Sequence, residues 1–359
     1  MSDFFHSFNA VRGMQAGRPC YIAMCPMRII PKIFVFNEEE VPPEIRSQRK
    51  LNKGRIPEMT NYLINNQKDY ILSSLTASID GETEFEPYSS DGPGVNIGTF
   101  KISMDAQILI NDGQHRRAAI EEAVKHESAL GHDHISVVFF LDDGLKKSQQ
   151  MFADLNKHAV RPSPSLSTLY DQREELSNIA RRVMNDVYIF SKLTETEQTS
   201  ISNRSIKLFT LSGIKNANKA LLNKGKNDHI SEEEIQIAIE YWKHVASSIR
   251  DWNLASERQV NSWELRENYI HAHGVFLHAL GILGAQLIHN KKGQSVLDKL
   301  STIDWSRGSN LWKGRAVVNG RITKSITNVK LTTNQIKMQL GMKLTNEEVE
   351  REKEFKLHA

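Results

Sequence analysis

The stretch Ile108-Leu109-Ile110-Asn111-Asp112-Gly113-Gln114-His115-Arg116-Arg117-Ala118-Ala119-Ile120 reads as an apolar strand, a tight turn and a helix in immediate succession. Gly113 permits the backbone angles of a sharp reversal. Ala118, Ala119 and Ile120, with Ala123 a turn later, supply the inner face of the helix. Asp112 is the expected N-cap. The first helical turn then carries His115, Arg116 and Arg117, although a helix N-terminus already presents unpaired N–H groups and the positive end of the dipole. Positive charge placed there calls for an anion or an acid. Two readings stay open: a phosphate held by the turn, or arginines paired internally with Glu121, Glu122 or Asp112.

Outward from this turn, the first part of the chain mixes strand and helix signals. Tyr21 to Phe36 is expected to be extended, its prolines suiting an edge strand. Pro57 to Asn66 is expected to be helical with Pro57 in the first turn. Tyr70 to Asp80 is expected to be a strand ending at the Asp80-Gly81 turn. Ser89 to Gly98 reads as a loop, Phe100 to Ser103 and Gln107 to Ile110 as a hairpin, and Ile135 to Leu141 as a central strand. After Gly144 the pattern is helical: Lys146–Asn156, Leu166–Asp186, Ile206–Asn223, Ser231–Arg250 with a Ser231/Glu234 capping box, and Tyr269–Asn290. Ile206–Asn223 also fits half of a helix-turn-helix with Gly213 in the turn. These signals predict an α/β (α+β) protein: residues 1–160 a mixed sheet with helices, 161–345 a helical DNA- or partner-binding domain, 346–359 a peripheral charged tail.

Composition narrows the function classes. The 359 residues are 39% hydrophobic and 25% charged, which fits a packed protein, and the net charge is +3. Two cysteines, Cys20 and Cys25, do not make a disulfide framework or a structural zinc site, and as strand residues an odd number apart they would face opposite sides. No signal peptide is expected, and Val275–Ile288 is too short to span a bilayer, so a cytoplasmic protein without membrane contact is expected. His271, His273 and His278 lie on an apolar stretch and read as core histidines rather than metal ligands. No P-loop, nucleophile elbow or zincin motif is present.

Positive charge is clustered despite the small net value. Arg204, Lys207, Lys215, Lys219, Lys224 and Lys226 fall between Glu197 and Asp228 with no acid among them. Arg307, Lys313, Arg315, Arg321, Lys324, Lys330, Lys337 and Lys343 fall likewise between Asp304 and Glu347. Such runs supply phosphate contacts on DNA, or form a solvated face that touches nothing.

Asp112-Gly113-Gln114-His115-Arg116 spells the motif of the DGQHR-domain family, and Phe152–Ala159, Arg161-Pro162-Ser163 and Leu169–Arg173 resemble that family's second block. Tyr70–Gly81, Asp304-Trp305 and the basic segment near the end fit as well. In length and layout the chain looks most like the DndB type. The resemblance implies an N-terminal domain similar to ParB and sulfiredoxin-like folds, with Gly113, His115 and Arg116 on the phosphate-binding turn. It implies Asn156 beside nucleotide phosphates. The reactive cysteine of sulfiredoxin chemistry has no counterpart at the turn. The expected site is therefore Asp112, Gly113, Gln114, His115, Arg116, Arg117 and Asn156 for phosphate or nucleotide. Arg161, Arg204, Lys207, Lys215, Lys219, Arg307, Lys313, Arg315, Arg321 and Lys324 are expected for DNA. The implied function is a DNA-binding repressor of a bacterial DNA phosphorothioation system, acting on promoter DNA of the modification genes, with other proteins of the system and a second copy of the chain as further partners. The alternative is a ParB-like switch that binds or hydrolyses ATP or CTP, Asp112 or Asp154 holding Mg2+. A nuclease is the least supported, because no set of converging acids is visible.

Overall fold

The computed structural model describes residues 4–34, 53–141, 155, 162–289 and 293–358, grouped in two units, Met1–Val160 and Arg161–Ala359. Each unit has its own hydrophobic core.

The first unit contains β1 (Phe5–Gln15), β2 (Arg18–Pro26), the single turn α1 (Ile30–Ile33), α2 (Ile56–Asn65), β3 (Leu75–Asp80), β4 (Thr83–Pro87), β5 (Ile97–Ser103), β6 (Gln107–Asp112), α3 (Gln114–His126) and β7 (His134–Leu141). The strands form one mixed sheet in the order β4-β5-β1-β2-β7-β3-β6. β3 and β7 are parallel and the other pairings antiparallel. The α/β class read from the sequence holds. β1 and β2 are joined by Ala16 and Gly17, both at positive φ (51° and 75°), which is the two-residue hairpin turn whose twist matches the strands. Alternation puts Phe8, Tyr21, Ala23, Cys25, Val137 and Phe139 into the core, where Tyr21 stacks on Phe100 at 4.0 Å. Cys20 and Cys25 are both buried and free, and burial pushes the Cys25 thiol up to about 12.

The sheet is rolled rather than flat. β3 and β4 stand five positions apart in the strand order, roughly 24 Å at normal strand spacing. Yet only Gly81 and Glu82 join them, a reach of about 11 Å. β3–β4 is therefore one strand bent at Gly81, and β5–β6 is its bent partner. The ladder crosses the bend, from Asp80↔Gln107 through Ser103 N–H to Glu82 O (3.0 Å) to Thr83↔Ile102. This corrects the expected hairpin: Phe100–Ser103 pairs with β1 and β4, and Gln107–Ile110 with β3. It also corrects the expected edge strand. β2 lies inside the sheet between β1 and β7, its Pro26 at the last pair, and the chain turns helical at Ile30.

The second unit is mostly helical: α4 (Pro164–Tyr170), α5 (Glu175–Asp186), α6 (Tyr188–Leu193), α7 (Leu211–Leu221), α8 (Glu232–Ser248), α9 (Arg250–Ser256), α10 (Ser262–Asn268), α11 (Gly274–Leu287), α12 (Gly293–Leu297), α13 (Ile326–Gln339) and α14 (Asn346–His358). Two strand pairs of two residues each are added, β8 (Thr194–Glu195) with β9 (Phe209–Thr210) and β10 (Val317–Val318) with β11 (Arg321–Ile322). The apolar helix α11 is central. A Cβ on Gly281 would lie 2.3 Å from Ala217 O, and one on Gly284 would lie 2.4 Å from Leu221, so α7 and α11 touch backbone to backbone. Tyr241 donates to Leu280 O (2.6 Å) and Trp242 to Asn218 (3.0 Å), tying α8 to this pair.

Several expected helices are shorter. Leu166–Asp186 breaks at Asp171, whose carboxylate accepts the N–H groups of Arg173 and Glu174 (both 3.0 Å) and opens a new start for α5. Ile206–Asn223 begins only at Leu211. Gly213 lies inside α7, its N–H bonded to the Thr210 cap, so it is not the turn of a helix-turn-helix. The Ser231/Glu234 capping box is formed. The stretch from Asn346 is helical and not peripheral: Glu348 pairs with the buried Lys337 (2.5 Å) and Glu352 with the buried Arg315 (2.6 Å). Most of Lys146–Asn156 lies outside the described residues. Among the described residues, no helix is long and apolar enough to cross a membrane.

Candidate functional site

The turn between β6 and α3 forms as expected in outline. Gly113 is the helix cap, at φ 105°, and no acid stands in the first turn of α3. A side chain at Gly113 would be strained by its φ and would also meet Leu75 at 2.4 Å and the Arg116 guanidinium at 3.0 Å. Asp112 is not the cap. It ends β6, and its carboxylate accepts from Arg116 at 2.6 Å. The Gln114 amide turns back to Ile110 O (3.3 Å).

Both arginines serve the fold. Arg116 also donates to Ser74 O (3.0 Å), before β3, and its buried Nε has no hydrogen-bond partner among the described residues. Arg117 donates to Glu121 (2.7 Å), Phe34 O (3.1 Å) and Pro31 O (3.1 Å), pinning the turn α1 onto α3. Internal pairing, one of the two readings the sequence left open, thus describes Arg116 and Arg117. His115 is half-buried, and burial, then the Arg55 and Arg116 charges, lower its pKa against the opposing pull of Asp112. The exposed Arg55, at the start of α2, joins the turn in space. Sequence reading passed over it, although Gly54-Arg55 directly before a helix was a visible cue.

The cations proposed for DNA divide in the same way. Arg315 is 6% exposed and bidentate to Glu352 (2.7 and 2.6 Å), with a third bond to Leu331 O, so it is a strut and not a surface group. Lys215 is paired with Glu174. Lys207 donates to Lys192 O (2.8 Å), and Arg307 to Glu267 O (3.2 Å) and Gly320 O. Arg204, Lys219, Lys313, Arg321 and Lys324 are exposed, with no side-chain partner among the described residues. Asn156 and Arg161, with Asp154, lie outside the described residues. Arg307 and Lys324 line one cleft of about 420 Å3, together with Arg266 and Trp263, which sequence reading did not single out.

Two of the three histidines of the apolar stretch are held by hydrogen bonds inside the helical unit. His271 is fully buried and bonded to Asp251 (2.9 Å), and His273 to Arg266 O (2.8 Å). The described residues hold no cluster of three or more His, Cys, Asp or Glu able to bind a metal ion.

No curated protein and no solved structure matches the chain. The family model of DndB, described as DNA-sulfur modification-associated, matches residues 8–343 of the 359 and so spans both units. The chain belongs to the DndB family, proteins associated with the sulfur modification of DNA.

Proposed function

We propose that the protein is a DNA-binding regulator, a transcriptional repressor that acts in the cytoplasm on promoter DNA of phosphorothioation genes, alone or with other proteins of that system or a second copy of itself. The observation that carries this reading is electrostatic. The fold pairs many of its charges, including the buried Arg315–Glu352 and Lys337–Glu348. Arg204, Lys219, Lys313, Arg321 and Lys324 nevertheless stand exposed with no carboxylate partner among the described residues. Unpaired surface cations bind the phosphate backbone at little cost in ordering or desolvation. Arg55 and His115, beside the uncapped start of α3, are a second candidate contact.

A gel shift with duplex promoter DNA tests this. Charge reversal of Lys219 and Arg321 to Glu is expected to weaken binding by about 10–100-fold at physiological salt without lowering Tm. Arg55→Ala with His115→Ala is expected to weaken it if the turn touches phosphate. Unchanged affinity in the second variant would remove the turn from the interface. Unchanged affinity in the first would end the reading itself.

The uncapped helix start at Gly113 also favours the second reading, a switch that binds ATP or CTP at the turn. Asp112 is already engaged by Arg116, which leaves it poorly placed for Mg2+. Calorimetric titration with each triphosphate decides the matter: no heat of binding that His115→Ala abolishes would end this second reading.

A further inference from the structure

The cleft of about 420 Å3 in the helical unit is lined by Trp263, Arg266, Glu267, Gly274, Arg307 and Lys324, among others. Its volume falls in the range of about 300–1,000 Å3 typical of small-ligand sites. Three of these side chains are basic and one is acidic, so the wall is net positive.

The cations differ in what they have left to give. Arg266 spends both terminal guanidinium nitrogens on the carbonyls of Ser202 (3.0 Å), Asn203 (3.1 Å), Ser205 (3.0 Å) and Lys207, and so chiefly shapes the wall. Arg307 holds Glu267 O (3.2 Å) and Gly320 O. Lys324 has no hydrogen-bond or ion-pair partner among the described residues, and its ammonium nitrogen would stand 3.0 Å from a Cβ built on Gly274. That places a free cation at the first residue of α11, a 14-residue helix whose first turn contains no acid and whose cap, His273, makes no side-chain bond to it. Lys324 is exposed as a residue, yet its ammonium end is partly desolvated, which lowers its pKa. His278, one turn into α11, is held towards neutrality by burial and then by the charges of Lys324 and Lys219. Two positive features this close, with no acid in the first turn and none paired to Lys324 among the described residues, are unfavourable until an oxyanion lies against both. Trp263 supplies the other half of a recognition site. It is 42% exposed, whereas the other four tryptophans are at most 7% exposed. An exposed indole in a cationic cleft is a stacking surface for a base.

We propose that this cleft binds one nucleoside 5′-phosphate unit, its phosphate between Lys324 and the start of α11 and its base against Trp263. The unit comes either from a free mononucleotide or from a single strand. The proposal rests on neither reading of the previous subsection: the turn at Gly113 uses other residues, and duplex binding, which shares Lys324 with this cleft, is tested at Lys219 and Arg321, outside its lining.

The test uses the full chain and the emission of its one exposed tryptophan. The four deoxynucleoside 5′-monophosphates, the matching nucleosides and a short single-stranded oligonucleotide are titrated separately, with calorimetry as a second readout. Saturable quenching by the phosphorylated ligands, much weaker with the nucleosides, is expected. Lys324→Gln should weaken binding by about tenfold or more with an unchanged Tm, and Trp263→Ala should weaken it by calorimetry. Triphosphate binding at the turn, by contrast, would be lost in His115→Ala and retained in Lys324→Gln. Saturation by monophosphates assigns the site to free nucleotides; saturation by the oligonucleotide alone assigns it to a strand. Absence of binding by both, or identical affinity in Lys324→Gln, overturns the proposal.

Discussion

Gly113 combines two constraints, a backbone at φ 105° and a Cα pressed against Leu75 and the Arg116 guanidinium. Gly113→Ala is therefore expected to cost about 1–3 kcal/mol from strain alone, more with the clash, read as a lower midpoint in urea unfolding. His115 is half-buried and outside the hydrophobic core, so His115→Ala leaves no core cavity and should lower the same midpoint less than Gly113→Ala, while altering any anion contact at the turn. The residue types of the turn were legible in the sequence, since an apolar run, Gly113 and an alanine-rich helix face can be arranged in few ways. What the arginines do was not legible. Arg117 reaches Phe34 O and Pro31 O across 83 and 86 residues of chain, and carbonyl partners leave no mark in composition.

At the scale of elements, pairings outrun local signals. Phe100–Ser103 and Gln107–Ile110 are strands, as their alternation predicts. The partners are fixed by the bend at Gly81, where Ala106 crosses so closely that a Cβ would fall 2.6 Å from its own. β1 escaped sequence reading because Ala16-Gly17 is a weaker hairpin signal than Asn-Gly. The capping box at Ser231, which depends only on residues three apart, was read correctly. The docking of α14 shows the same limit, since its acids pair with cations 11 and 37 residues away. That docking carries a prediction. Glu352→Ala leaves Arg315 buried and unpaired and should cost about 3–5 kcal/mol. Replacing both partners by leucine and methionine should recover most of the loss. Denaturant midpoints of the two single variants and the double variant check this. Gly281→Ala should cost about 1–3 kcal/mol by forcing α7 from α11, measurable in the same way.

At the scale of the whole molecule, acid should destabilise the fold in two steps. Burial is the main cause that lowers the pKa of His115, His273 and His278, so the folded state resists protonation. The unfolded chain takes up those protons at its ordinary value of 6.5. The stability they confer is complete above that value and is lost as pH falls through the lower folded values. Burial pushes the carboxyls of Glu348 and Glu352 up, but the bonds from Lys337 and Thr345, and from Arg315 and Asn334, hold them below 4.5 on balance. Their contribution is present above 4.5 and disappears below it. Calorimetric Tm should therefore fall between about pH 7 and pH 5.5, and again at lower pH. A Tm flat across the first interval would contradict the histidine burial.

The claim on which the functional account turns is that exposed, unpartnered cations grip DNA phosphate. Fluorescence anisotropy with labelled promoter duplex, repeated over a range of salt concentrations, measures this directly. The logarithm of the binding constant should fall linearly with the logarithm of salt concentration, by roughly 0.9 per phosphate neutralised. Replacing Lys219 and Arg321 by Gln should flatten that slope by about 2. Duplex binding that is undetectable at low salt, or a slope that these replacements leave unchanged, would contradict the account.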